Sequence, residues 1–229
     1  RPTRADAQAR VDRTLPGRPL SALSDQVAVG AGDDGSAGLW SAHLARMAQA
    51  AAEANVPFIM SGAATASIEQ VMAVAPRHTW FQLYVSRETT VTEDLIRRAA
   101  AGVDTLVLTV DVPVHSKRER DWRNGFVPPV KPSLSCVLDM LRHPRWLAGL
   151  LRHGLPRFEN WAPYAGDKAS AREIAAYFTS QIPFTQTWFD LERIRRVWPG
   201  KLVLKGVLAP TDALRALDCG VDGVIISNH

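Results

Sequence analysis

Apolar runs of strand length recur along the chain, and the stretches between them repeat their apolar positions every three or four residues. Such runs centre near Val29, Ile59, Leu83, Leu108, Leu204 and Ile225. In Thr79–Val85, alternation puts Gln82 and Tyr84 on one side of the strand, whereas Thr105–Asp111 reads as a strand buried on both faces. The intervening helices carry start and stop signals. One is capped at Ser41, with Leu44, Met47, Ala48 and Ala51 on one face, and ends before Pro57. Ser67 and Gln70 form a capping box, and Thr92 opens a helix that closes at Gly102. Pro210–Gly220 is a short helix capped by Thr211 and closed by Gly220 in the left-handed conformation. Strand, helix and parallel strand in alternation predict an α/β fold of repeated βα units. An internal echo supports this, since Gly102-Val-Asp and Gly220-Val-Asp each precede an apolar run ending in a hydroxyl, at Thr109 and Ser227.

About six βα units fit within 229 residues, so the expected architecture is an incomplete (β/α)8 TIM barrel. It is read as a single domain over 1–229, cut at both ends and lacking the last two units. A long insertion, about 113–187, separates the fourth and fifth predicted strands, with a helix expected within Leu134–Leu151.

Composition changes this picture little, with 46% hydrophobic and 22% charged residues, as in an ordinary globular protein. The distribution of charge is more informative than the net +4. Lys117–Arg157 holds nine basic residues against three acidic ones, leaving the remainder slightly acidic. No nucleic-acid partner is expected. Cys136 and Cys219 fit no metal or redox spacing and read as reduced cytosolic thiols.

The chemistry-bearing residues gather at predicted carboxyl ends of strands, where barrels of this type place their active sites. Lys205 suits a fixed cation beside a cofactor or oxyanion, or a Schiff-base nucleophile. His229, after Ser227-Asn228, suits a general base, and Arg118 could clamp a carboxylate with two parallel hydrogen bonds. Gln82 and Tyr84 would face the mouth of the barrel. Each also has a bland reading as a surface, packing or structural residue.

Taken together, Phe81-Gln-Leu-Tyr-Val85, Thr109-Val-Asp-Val-Pro113, Arg118–Phe126, Leu204-Lys-Gly206 and Ser227-Asn-His229 resemble the FMN-dependent 2-hydroxy acid dehydrogenase/oxidase family. His143-Pro-Arg-Trp146 and Gly154–Phe158 are most similar to its bacterial lactate and mandelate dehydrogenase branch. The resemblance implies oxidation of an L-2-hydroxy acid to the 2-oxo acid, with FMN as cofactor. Ser61, Gln82, Thr109, Lys205 and Ser227 would contact the flavin. Tyr84 and Arg118 would bind substrate, and His229 would bind it and take its proton. The resemblance further implies a quinone or cytochrome acceptor and a homo-oligomer in an intact relative. The location would be cytoplasmic, peripheral at the inner face of the membrane, with contact through 142–157. Gly32-Asp-Asp-Gly35 departs from the family's strand end at the flavin and is expected to weaken cofactor binding. Because the chain stops at His229, low activity is expected of it. The competing expectations are a Schiff-base aldolase using Lys205 and a non-catalytic remnant.

Overall fold

A computed structural model of the chain describes residues 37–112, 119–123, 134–183 and 185–227. The predicted strand near Val29 and the loop at Gly32–Gly35 lie outside them. Five strands, β1 (Phe58–Ser61), β2 (Thr79–Leu83), β3 (Thr105–Thr109), β4 (Lys201–Lys205) and β5 (Gly223–Ile225), form one sheet in chain order. All four pairings are parallel. Parallel neighbours in sequential order, each joined by a crossover, are the winding of a (β/α)8 barrel wall.

Helix α1 (Ala37–Glu53) precedes β1, α2 (Ile68–Met72) joins β1 to β2, and α3 (Thr89–Ala100) joins β2 to β3. The long connection from β3 to β4 contains α4 (Glu119–Arg123), α5 (Leu134–Arg142), α6 (Pro144–His153), α7 (Ala162–Ala165), α8 (Ala171–Gln181) and α9 (Trp188–Val197). Helix α10 (Pro210–Asp218) joins β4 to β5. The capping box at Ser67 and Gln70 is present. Two more, Ser170 with Glu173 and Thr187 with Asp190, start α8 and α9. Within 134–151, where a helix was expected, there are two, separated at His143-Pro144, where the proline has no N–H and disfavours helical geometry at the residue before it.

Two expected caps, Ser41 and Thr211, are not caps, and the expected helix start at Thr92 lies inside a helix. Ser41 lies within α1 and is buried, and Met47 faces solvent while Ala45 and Ala48 pack inward. Thr92 is inside α3, where its hydroxyl accepts from the Ser86 backbone. Thr211 follows Pro210, and Ala209 occupies the capping position of α10. Gly220 does adopt a positive φ of 79°.

One face of the sheet supplies Met60, Phe81, Leu83, Leu106, Leu108, Leu202 and Leu204 to a buried cluster with Ile68, Val71, Leu95, Ile96, Leu191, Ile194 and Ala216 from the helices. Period-two alternation then assigns Ser61, Gln82, Thr109 and Lys205 to the opposite, concave face, all at the carboxyl end of their strands.

Candidate active site at the carboxyl ends of the strands

Three side chains form a hydrogen-bonded line across neighbouring strands. The Ser61 hydroxyl donates to Gln82 Oε1 at 3.1 Å, and Gln82 Nε2 donates to Thr109 Oγ1 at 2.9 Å. Register brings them together, because Ser61 lies opposite Gln82, and Leu83, the next residue, lies opposite Leu108. Thr109 is opposite Lys205, which is opposite Ile225, so the line continues to a cation and then towards Ser227, two residues beyond Ile225. Gln82 and Thr109 are buried, Ser61, Lys205 and Ser227 half-buried. Five residues expected to contact one cofactor therefore sit side by side along one rim.

Lys205 Nζ lies 3.1 Å from Asp111 Oδ2, and the Asp111 side chain is only 5% exposed. A charge buried to that degree requires a compensating partner, and a charge-assisted bond is the strong form of one. Gly206 makes the approach possible. Its φ is +106°, and a Cβ there would lie 2.3 Å from Asp111 Cβ, so any side chain would displace the carboxylate. Tyr84, one residue past β2, is half-buried. Burial pushes its phenol above the ordinary value, and the negative Asp111 pushes it the same way.

The sequence reading assigned no role to Asp111. Its signal was available as an acid two residues past Thr109 at the end of an apolar run. It also missed the aromatic wall behind Tyr84, for which local sequence gives no signal. The Phe178 ring of α8 meets Tyr84 edge-on at 5.8 Å and is itself packed by Phe158 at 5.2 Å and Trp161 at 4.9 Å. Arg118 and His229 lie outside the described residues. A cavity of about 350 Å³ lies nearby, lined by Val110, Thr187, Leu191, Leu204, Gly206 and Val207.

Among the described residues no cluster of His, Cys, Asp and Glu could hold a metal ion, and no helix is long and apolar enough to cross a membrane. The insertion nevertheless exposes apolar surface. On α5, Leu134, Val137, Leu138 and Leu141 are exposed at spacings of three and four, and Trp146, Leu151 and Leu155 follow on α6 and just beyond it. Arg142, Arg145 and Arg152 are exposed among them. Arg157 instead turns to Glu159 at 3.7 Å.

The FMN-dependent dehydrogenase family matches residues 35–229. A domain of unknown function matches residues 1–65, overlapping the first match across α1 and β1, which are built into the sheet and its helical cover. The (S)-mandelate dehydrogenase of Pseudomonas putida is 38% identical over 192 residues, covering 83% of this chain and 48% of that protein. A putative L-lactate dehydrogenase of Mycobacterium tuberculosis is 41% identical over 184 residues, covering 80% and 43% respectively. Among solved structures, an (S)-mandelate dehydrogenase described as a monotopic membrane protein superposes with a TM-score of 0.76 at 38% identity, over 87% of this chain and 52% of that one. A mandelate oxidase does so with a TM-score of 0.57 at 34% identity, over 81% and 44%. The chain spans about half the length of the curated relatives it matches.

Proposed function

Because the chain belongs to the FMN-dependent dehydrogenase family, we propose that its strand-end rim binds FMN and serves the oxidation of an L-2-hydroxy acid, lactate- or mandelate-like, to the 2-oxo acid. The observation that carries this reading is the continuous line Ser61–Gln82–Thr109 with Lys205 next in register. The donor set fits the group: a carboxamide, hydroxyls and an ammonium match the alternating carbonyl, N–H and ring-nitrogen positions along a flavin's edge. When bound, FMN would supply the two-electron acceptor.

The chain's own residues do the rest. Thr109 accepts from Gln82, which fixes the carboxamide and leaves the threonine hydroxyl hydrogen to donate. Lys205, held by Asp111, is a preorganised cation where negative charge would develop. Tyr84, kept neutral by burial and by Asp111, retains a proton with which to hold the substrate's hydroxyl or developing carbonyl. Arg118 would bind the substrate carboxylate, and His229 would take the proton released as two electrons leave the substrate. The ion pair with Asp111 counts against the aldolase alternative, which needs Lys205 as a neutral nucleophile.

The insertion would dock on an anionic membrane surface, lying in the interface rather than crossing it. Exposed leucines and Trp146 would enter the headgroup layer while Arg142, Arg145 and Arg152 meet the lipid phosphates. A monotopic relative supports this. A membrane-dissolved quinone or a membrane cytochrome would then be within reach as the electron acceptor.

Titration of the purified chain with FMN should quench flavin fluorescence, and anaerobic addition of (S)-mandelate or (S)-lactate should bleach the flavin absorbance. Lys205→Met should slow bleaching about 100-fold or more, the cost of losing a preorganised electrostatic group. FMN binding unaffected by loss of Gln82 and Lys205 together would overturn the assignment of the rim.

A further inference from the structure

Tyr84 sits on the loop after β2, where the sheet's hydrogen bonds no longer fix the chain, yet it is held from three directions by one distant segment. Phe178 meets its ring edge-on. Gln181, three residues further along α8, clamps the loop that follows Tyr84. Its side-chain oxygen accepts from the Ser86 hydroxyl at 2.8 Å and from the Glu88 N–H at 3.3 Å. Its side-chain nitrogen donates to Glu88 Oε1 at 2.7 Å, and its backbone carbonyl accepts from Arg87 N at 2.7 Å. On the other side, Trp161 Nε1 donates to the Gly62 carbonyl at 3.0 Å. Buried Asn160 accepts from Ile68 N at 2.9 Å and directs its amide to the same Gly62 carbonyl at 3.5 Å. Gly62 lies directly against Tyr84, since a Cβ on it would be 3.7 Å from the tyrosine ring and 2.9 Å from the Gln82 carbonyl. Trp161 and Phe178 are themselves in contact, which closes the frame.

We propose that Phe178 and Gln181, braced by Trp161, are positioning residues for the reaction: the Phe158–Gln181 segment clamps Tyr84 so that its phenol points into the strand-end rim before substrate arrives. This rests on the substrate-binding reading of Tyr84. The physical argument is preorganisation. A tyrosine on an unpaired loop has two free side-chain torsions, and misplacing a catalytic contact by about 1 Å can cost on the order of 100-fold in rate. Packing its ring against Phe178 of α8 removes that freedom in advance. The same segment continues directly from the exposed α5–α6 hairpin, so Tyr84 is held by the part of the chain that ends the insertion.

The test is a mutant cycle with an independent spectroscopic readout. Phe178→Leu should lower kcat about 10-fold with little change in KM, because the substrate's carboxylate is held elsewhere. Phe178→Tyr, which keeps the ring edge, should restore most of it. In a Tyr84→Phe background, Phe178→Leu should add no further loss, since the effect acts through the phenol. The chain has only three tyrosines, so the Tyr84 ring signal in NMR spectra of ring-labelled protein is assigned by its loss in Tyr84→Phe. That signal should move in Phe178→Leu and stay in place in Ile194→Val, a core change of modest cost away from the site. Equal losses from Phe178→Leu with and without the Tyr84 hydroxyl, or an unmoved Tyr84 signal, would overturn the clamp. If Tyr84→Phe is itself without effect on kcat, the reading of Tyr84 fails instead, and the ring signal still decides whether the clamp exists.

Discussion

The Arg98 guanidinium ties α3 both to α2 and to the end of the insertion: two hydrogen bonds go to the Glu69 carboxylate at 2.8 and 3.0 Å, and three to Asn160 O, Asn160 Oδ1 and the Tyr164 hydroxyl. The bond from Arg98 holds the Glu69 carboxyl at about 2, below the usual carboxylate range. A folded-state value below the unfolded one means stability that is present above the unfolded value near 4 and lost as pH falls towards 2. The Glu69 side chain is 54% exposed, so solvent screening keeps the contribution to about 1 kcal/mol. Glu69→Gln should flatten the acid limb of a stability–pH curve between about pH 4 and 2, with a small loss of stability at pH 7; denaturant titrations at each pH would show it. In the same network Tyr164 donates to Asp94, and burial, then that bond, pushes its hydroxyl up to about 12. None of these pairings is visible locally, because Glu69 and Arg98 belong to different helices and Asn160 and Tyr164 to the far end of the insertion. Lys205 was legible, since a lysine ending an apolar run invites a chemical reading. Asp111 carried the same signal, but its partner becomes evident only once β3 and β4 are paired.

At the scale of elements, the exposed apolar surface of the hairpin reaches beyond the span read from the sequence. Contact with lipid was expected over 142–157, but the longest exposed apolar stripe lies earlier, at Leu134, Val137, Leu138 and Leu141 of α5, and Arg157 turns inward to Glu159. Helix α5 touches α6, and α6 touches α1, so the hairpin is seated on the fold with these side chains left outward. Leu138→Glu combined with Leu141→Glu should remove co-sedimentation with anionic phospholipid vesicles while leaving the melting temperature within a few degrees, because surface changes cost little. Replacing Arg142, Arg145 and Arg152 by Gln should weaken the same binding most at low salt, where phosphate attraction is least screened. The capping residues teach a related lesson. Ser67 and Gln70 work as their spacing suggests, and Ser170-Ala-Arg-Glu173 and Thr187–Asp190 follow the same rule. Thr92 matches a start signal but is drawn into α3, because its hydroxyl satisfies the Ser86 backbone in the turn before the helix. Where a nearby backbone N–H outside the capping position takes the hydroxyl, the capping rule gives way.

Across the molecule, among the described residues, burial is most complete at β3, the middle strand of the five. All five of its residues are buried, whereas β5 at the margin is half-exposed. Leu106→Ala should therefore cost about 3 kcal/mol, a transfer and cavity penalty, against well under 1 kcal/mol for Val224→Ala, with urea unfolding as the measurement. The sequence by itself determined the alternation of parallel strands and helices, the positions of the five described strands to within a residue or two, and the resemblance through which Ser61, Gln82, Tyr84, Thr109, Lys205 and Ser227 were singled out. It could do so because period-two and period-3.6 burial leave local marks, and strand-end polar residues break them. Only the tertiary structure decided that Ser61, Gln82 and Thr109 form one hydrogen-bonded line, that Asp111 holds Lys205, and that Phe178 and Gln181 stand around Tyr84 from more than ninety residues away. Those relations depend on strand register and on where a long connection folds back, and both are set by packing between segments distant in the chain, which no local pattern records.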